Sequence, residues 1–141
     1  MAQEVAQTTV RVVRAADVSD RTAQTAGMGR RLGISADTTG ASRIWMGHAV
    51  GPPGMDTGPH HHGEAETAGY IVRGTARILW GDNFEQYVDV GPGDFVFVPA
   101  YLPHIERNVS NAPCEFIIAR TPDNTVVNLP PLDSDGGDTP G

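Results

Sequence analysis

Glycine and proline punctuate this chain so densely that no long regular helix fits into it. The 141 residues include 17 Gly and 11 Pro, spread from Gly27 to the last residue. Gly loosens hydrogen-bonded elements and Pro interrupts them, so the segments between them must be short. Those segments are rich in Val, Ile, Phe, Tyr and Trp, which suit a pleated surface. Strands are expected at 10–14, 30–35, 43–50, 69–73, 75–80, 85–90, 95–98, 104–109 and 114–121. The connections have matching chemistry. Gly81-Asp82-Asn83 reads as a hairpin turn, and Gly91-Pro92-Gly93-Asp94 puts Pro and Gly where a type II turn needs them. The only helical expectation is one short turn within 15–28.

Nine short strands in a chain of single-domain length predict an all-β barrel or sandwich, which also disposes of exposed sheet edges. A domain of this size buries roughly 68–70% of the surface its unfolded chain exposes, enough to fold without disulfides. Cys114 is the only cysteine, which excludes a Cys-rich zinc cage and a CxxC redox pair. The expected domain spans 1–131. Residues 132–141, mostly Asp, Gly, Pro and Ser, are expected to form a disordered acidic tail. Residues 124–129 suit one more edge strand, with a second subunit as its candidate partner.

The net charge of −7 argues against nucleic acid, which calls for a basic face. All ten basic residues are arginine, so Schiff-base, lysine-base and P-loop chemistry are excluded. The N-terminal residues lack the pattern of a signal peptide, and no apolar run is long enough to cross a membrane. A cytoplasmic protein with a small-molecule partner, and no membrane or nucleic-acid partner, is the expectation.

Three of the five histidines fall together in Gly58-Pro59-His60-His61-His62-Gly63-Glu64-Ala65-Glu66. Side chains alternate along a strand, so His60 and His62 share a face and His61 points away. Two imidazoles on one face can grip one ion, and His104 is the candidate for a third ligand. His48 reads either as a further ligand or as a half-buried strand histidine bonded to its neighbours. Glu106 shares the parity of His104 and Asn108, and reads either as a pocket group or as an exposed edge carboxylate.

At this spacing the residues resemble the cupin superfamily. Its first motif runs Gly, five residues, His-x-His, three or four residues, Glu, six residues, Gly. Here Gly54, His60, His62 and Gly74 match, with Thr67 at the usual Glu position. Its second motif runs Gly, five residues, Pro-x-Gly, two residues, His, three residues, Asn. Here Gly93, Pro99, His104 and Asn108 match, with Tyr101 replacing the Gly. The motifs cover 54–74 and 93–108. The resemblance implies a double-stranded β-helix, or jelly-roll barrel. It implies one divalent metal ion (Zn, Fe, Mn, Ni or Cu) on His60, His62 and His104. Glu66 is the candidate fourth ligand if a bulge shifts it inward by one residue, and water is the alternative.

The run from His60 to Gly74, with Pro103-His104 and Arg120-Thr121-Pro122-Asp123-Asn124, is similar to small cupins of aromatic polyketide pathways, including resistomycin-type cyclases. That similarity implies a metal-dependent cyclase of antibiotic biosynthesis, and a homodimer. Glu66 and Glu64 would move the proton. The candidate pocket lining is Trp45, Met46, Ile71, Phe95, Phe97, Phe116 and Ile118, with Tyr101 and Pro103 at the mouth. A dioxygenase of the quercetinase or β-diketone type and a non-enzymatic ligand-binding cupin are the alternatives.

Overall fold

The computed structural model describes residues 9–132. Its central strand is β9 (Cys114–Thr121), which buries Cys114, Phe116, Ile118 and Arg120 and turns the residues between them outward. A strand that alternates so regularly carries one face of a core. On one side β9 pairs with β2 (Trp45–Gly51), which pairs with β1 (Gly29–Ile34); on the other it pairs with β4 (Glu66–Arg73), which pairs with β7 (Phe95–Val98). This antiparallel five-stranded sheet faces a second layer. There β5 (Ala76–Trp80) lies between β6 (Gln86–Val90) and β8 (Ile105–Arg107), and β3 (His60–His61) pairs with β10 (Val127–Asn128).

The two parts of the second layer join through a bridge between His60 and His104. His60 N–H donates to the His104 carbonyl at 3.0 Å, and His104 N–H to the His60 carbonyl at 2.9 Å. Between the layers lie Leu32, Trp45, Ala49, Met55, Ile71, Phe116 and Ile118, all buried. Each large apolar side chain there contributes about 1.5–3 kcal/mol relative to an exposed one. The architecture is the expected all-β jelly roll. Among the described residues no helix is long and apolar enough to cross a membrane.

Several expectations need correction. Residues 10–14 form no strand, and Val10 and Val12 are exposed, because no partner strand lies beside them. The helical turn shrinks to a single 3-10 turn at Ala15–Asp17. The late edge strand pairs with β3 of the same chain. Met46, Phe95 and Phe97 are not core residues: they are 42%, 80% and 62% exposed, and Phe95 and Phe97 instead border a cavity that also includes His104. On β2 the buried parity belongs to Trp45, Gly47, Ala49 and Gly51, so Met46 must face out. On β7 only Val98 is buried and Val96 half-buried, which turns Phe95 and Phe97 outward. The predicted tail lies outside the described residues from residue 133 onward.

The turn at Gly91–Asp94 closes as expected: Asp94 N–H donates to the Gly91 carbonyl at 3.0 Å, and Gly93 adopts φ +90°. Tyr101, where the motif has Gly, adopts φ +63° and donates its N–H to the Gly63 carbonyl at 2.8 Å. A non-glycine residue held there costs about 1–2 kcal/mol. Asn108 is a clamp. Its amide donates to the Gly51 and Ala112 carbonyls at 3.1 and 2.7 Å, and its Oδ1 accepts from Ser110 N–H and Oγ–H.

Gly74 has φ +77°, and an added Cβ there would meet the Pro113 carbonyl oxygen and Cys114 Cα, both backbone atoms. Gly74→Ala is therefore expected to destabilise the fold by at least ~2 kcal/mol, since strain and overpacking add. Urea denaturation checks this; a midpoint equal to wild type would contradict the assigned conformation.

Candidate metal centre

The His60–His104 bridge has a chemical consequence. Residues paired across an antiparallel ladder project side chains to the same face. The two imidazoles therefore meet, with ring centroids 4.3 Å apart. His62, two residues past His60, returns to the same face, 5.0 Å from His60 and 5.2 Å from His104. His61 turns the other way, accepting the Gly63 N–H at 3.0 Å and lying near Tyr101. The three inward histidines are buried, at 0%, 2% and 1% exposure for His60, His62 and His104.

Each inward ring is oriented by a backbone carbonyl. Nδ1 of His60 meets the Gly58 carbonyl at 3.1 Å, that of His62 the Thr125 carbonyl at 2.7 Å, and that of His104 the Leu102 carbonyl at 3.0 Å. A carbonyl only accepts, so Nδ1 carries the proton and Nε2 the lone pair; in His62 that lone pair accepts from Arg120 Nη2 at 3.0 Å. The fourth group is Glu106, on β8 and on the same face as His104. Its Oε2 lies 3.2 Å from His104 Nε2 and 3.9 Å from His60 Nε2.

The ligand atoms of His60, His62, His104 and Glu106 all lie within 4.8 Å of one another. The buried Nε2 atoms of His60 and His104 have no hydrogen-bond partner. Orphaned buried acceptors converging with a carboxylate suit a divalent cation, and this donor set is one that Zn, Fe, Mn, Ni and Cu all accept.

Electrostatics favour the ligand forms. Burial lowers the His60 imidazole to about 4, with Glu106 opposing and His104 adding to the effect. Burial, then the Arg120 charge, lowers His62 to about 2. For Glu106, burial pushes the carboxyl up. The facing His104 and His60 rings and the Arg30 charge outweigh that, holding it below the usual carboxylate range.

The other candidate carboxylates stay outside. Glu66 is exposed at the start of β4, opposite Thr121, while Thr67 is the inward residue opposite Arg120. A bulge exists on this strand, but between Ile71 and Arg73, too late to turn Glu66 inward. Glu64 is exposed in the preceding turn, beside Pro122 and Asp123. Glu106 thus stands where Glu66 was expected. His48 lies on the outer face of β2, 2.6 Å from Glu115 Oε2 and away from the cluster.

A cupin-domain family profile, Cupin_2, matches residues 47–120, more than half of the chain and including the whole cluster. The chain belongs to this cupin-domain family. Among solved structures, the polyketide cyclase RemF from Streptomyces resistomycificus aligns with a TM-score of 0.70 and 24% identity, over 90% of this chain and 89% of that one. The S161A mutant of Bacillus subtilis oxalate decarboxylase OxdC aligns with 0.66 and 20% identity, over 77% of this cupin and 30% of that chain. The Lactobacillus farciminis oxalate decarboxylase in its formate complex aligns with 0.65 and 18% identity, over 77% and 33%. The cupin therefore spans about a third of either decarboxylase, and at these identities the likeness is one of fold. The B. subtilis enzyme contains Mn(II) centers. No curated protein matches by sequence.

Metal analysis of protein lacking a histidine tag tests the cluster. About one ion per chain is expected for wild type and for His61→Gln and Glu66→Gln, and a loss of at least about tenfold in affinity for His104→Ala and Glu106→Gln. Full occupancy in His104→Ala would rule the site out.

The same imidazoles predict a pH dependence. His60 binds a proton less readily folded than unfolded, so unfolding takes up a proton between 6.5 and about 4. Metal-free protein should lose about 3 kcal/mol through this group as pH falls across that window. Glu106, whose carboxyl is held low, adds a loss of the same sign further down. Melting temperatures of metal-free protein between about pH 8 and pH 4 should fall with acidity; a rise would contradict buried neutral imidazoles.

Proposed function

We propose that this cupin is a metal-dependent, cyclase-like enzyme acting on a small apolar, oxygen-rich substrate, with Glu106 as its proton-transfer group. The observation that carries this reading is the position of Glu106: its carboxylate belongs to the histidine cluster and also lines a mostly apolar cavity with Ile71, Ile78, Val96, Phe116 and Ile118, Thr67 and Arg120 being its other polar walls. A second cavity shares Ile78, Val90, Val96 and Val98 with the first and includes His104, Trp80, Phe95 and Leu102. The second cavity lies along the seam between β6 and β7, the edge strands of their two sheets, and the first lies behind it against β4 and β9. Such a seam suits a flat apolar molecule whose polar end reaches the cluster. The polyketide cyclase RemF, similar in fold over nearly its whole length, is in keeping with this substrate class.

His60, His62 and His104 would hold a divalent cation, which would supply Lewis acidity toward a carbonyl oxygen. The protein's own part is proton movement and exclusion of water. Glu106, held ionised, takes a proton from a carbon flanked by carbonyls. That carbon forms a bond to a second carbonyl carbon of the same molecule, and the proton returns to the resulting alkoxide oxygen. No electrons leave or enter the substrate, so the closure needs no oxidant. The apolar walls keep water from competing for the proton.

The test is turnover of a β-diketone or poly-β-ketone chain under strict anaerobiosis, with zinc as the only added metal. Product should form; at zinc concentrations that saturate each variant, Glu106→Gln should lower kcat by about 10²-fold or more, and Glu66→Gln should stay within about twofold of wild type. Turnover only with O₂ and a redox-active ion would establish a dioxygenase of the quercetinase or β-diketone type instead. Tight binding without turnover under either condition would leave a ligand-binding cupin.

A further inference from the structure

Arg120 is a buried guanidinium with no carboxylate among its hydrogen-bond partners. It is 2% exposed. Its Nε donates to Thr67 Oγ1 at 2.8 Å, Nη1 to Asn124 Oδ1 at 2.7 Å and Nη2 to His62 Nε2 at 3.0 Å. All three acceptors are neutral. Thr67 sits directly across the β4–β9 ladder from it, and Trp45 across β2–β9, which fixes the side chain in the wall of the apolar cavity. Arg30, 1% exposed, is a second buried cation. It donates to the Ala23 carbonyl and touches the Met28 sulfur, and its Nε has no partner.

Against these two guanidiniums the cluster offers one carboxylate, Glu106. Removing a guanidinium from water costs several kcal/mol unless opposite charge compensates. A divalent cation in the cluster deepens the imbalance. The chain as a whole carries −7, yet this interior is short of negative charge. An anionic ligand would correct that.

His62 links the two sites. Its Nδ1 meets the Thr125 carbonyl, so Nε2 is the acceptor, and Arg120 Nη2 occupies it. A cation held by His60, His62 and His104 needs that same lone pair. One lone pair cannot serve both, so metal loading releases Nη2 toward the cavity that Arg120 already lines.

We propose that Arg120 is the anion-binding residue for the substrate. It holds an ionised oxygen, carboxylate or enolate, of an apolar molecule beside the cluster, and it becomes free to do so when metal displaces it from His62. This rests on the metal-dependent reading above and adds the charge its substrate must carry. Metal binds first and the anion second, and each strengthens the other's binding by the same factor.

Zinc, benzoate and its neutral counterpart benzamide test this by calorimetry. Zinc-loaded wild type should bind benzoate at least about tenfold tighter than benzamide, and removing zinc should erase most of that preference. Arg120→Gln with zinc should lose it too. In chelator competition the same variant should hold zinc about tenfold tighter than wild type, because no guanidinium contests His62. Equal affinity of zinc-loaded wild type for the two probes would overturn the proposal, as would an Arg120→Gln protein that keeps the benzoate preference. If that variant does not fold, Arg120→Lys takes its place: it keeps the charge but not the forked donors, and an unchanged benzoate preference there would overturn the proposal. Wild type that takes up no zinc would sink the metal-dependent reading itself; zinc uptake without a benzoate preference would sink only the role of Arg120.

Discussion

Two backbone hydrogen bonds between His60 and His104 hold the functional end of this molecule together. They join the β10–β3 pair to the β6–β5–β8 sheet, and so complete the second layer of the jelly roll. They also set two imidazoles side by side, because opposite residues in an antiparallel ladder share a face. Alternation then brings in His62 from one strand and Glu106 from the other. A one-residue slip between these segments would turn all four side chains outward at once. Fold and cluster thus depend on the same contact.

The charge arrangement around that contact departs from the family pattern in a compensated way. Where the first motif has Glu, this chain has Thr67, and Thr67 accepts from buried Arg120. One corner of the cavity has therefore exchanged a negative ligand for a positive neighbour, and the carboxylate has moved to Glu106 on β8. The cluster keeps three imidazoles and one carboxylate, but the carboxylate enters from a different wall. Arg120 also contributes to lowering His62, after burial, which helps keep that ring neutral and able to bind a cation.

The outer surface carries much of what the interior was expected to hold. Phe95 and Phe97 project from β7 rather than into the barrel, and Tyr70 stacks near Phe95 with ring centroids 4.9 Å apart. The interior instead uses smaller and β-branched residues, Val96, Val98, Ile71 and Ile78, which wall the cavity beside the cluster. Gly47 faces inward for a similar reason: the Trp45 indole lies across it, and an added Cβ would collide with that ring.

The amino-acid sequence by itself determined the class of fold, the turns and three of the four members of the cluster. Those rest on local physics: Gly and Pro limit element length, branched and aromatic residues favour strands, and period-two alternation puts His60 and His62 on one face. The motif spacing that singled out His104 is also written in the chain. Glu106 was legible only as a parity match to His104, one of several carboxylates near the histidines. Only the tertiary structure chose between it and Glu66, because that choice depends on where β4 carries its bulge, between Ile71 and Arg73, and a bulge leaves no local signature in residue type. The same is true of Arg120. Its burial, its seat opposite Thr67 and its hold on His62 arise from ladder register between strands more than fifty residues apart, and register is a property of the assembled sheet.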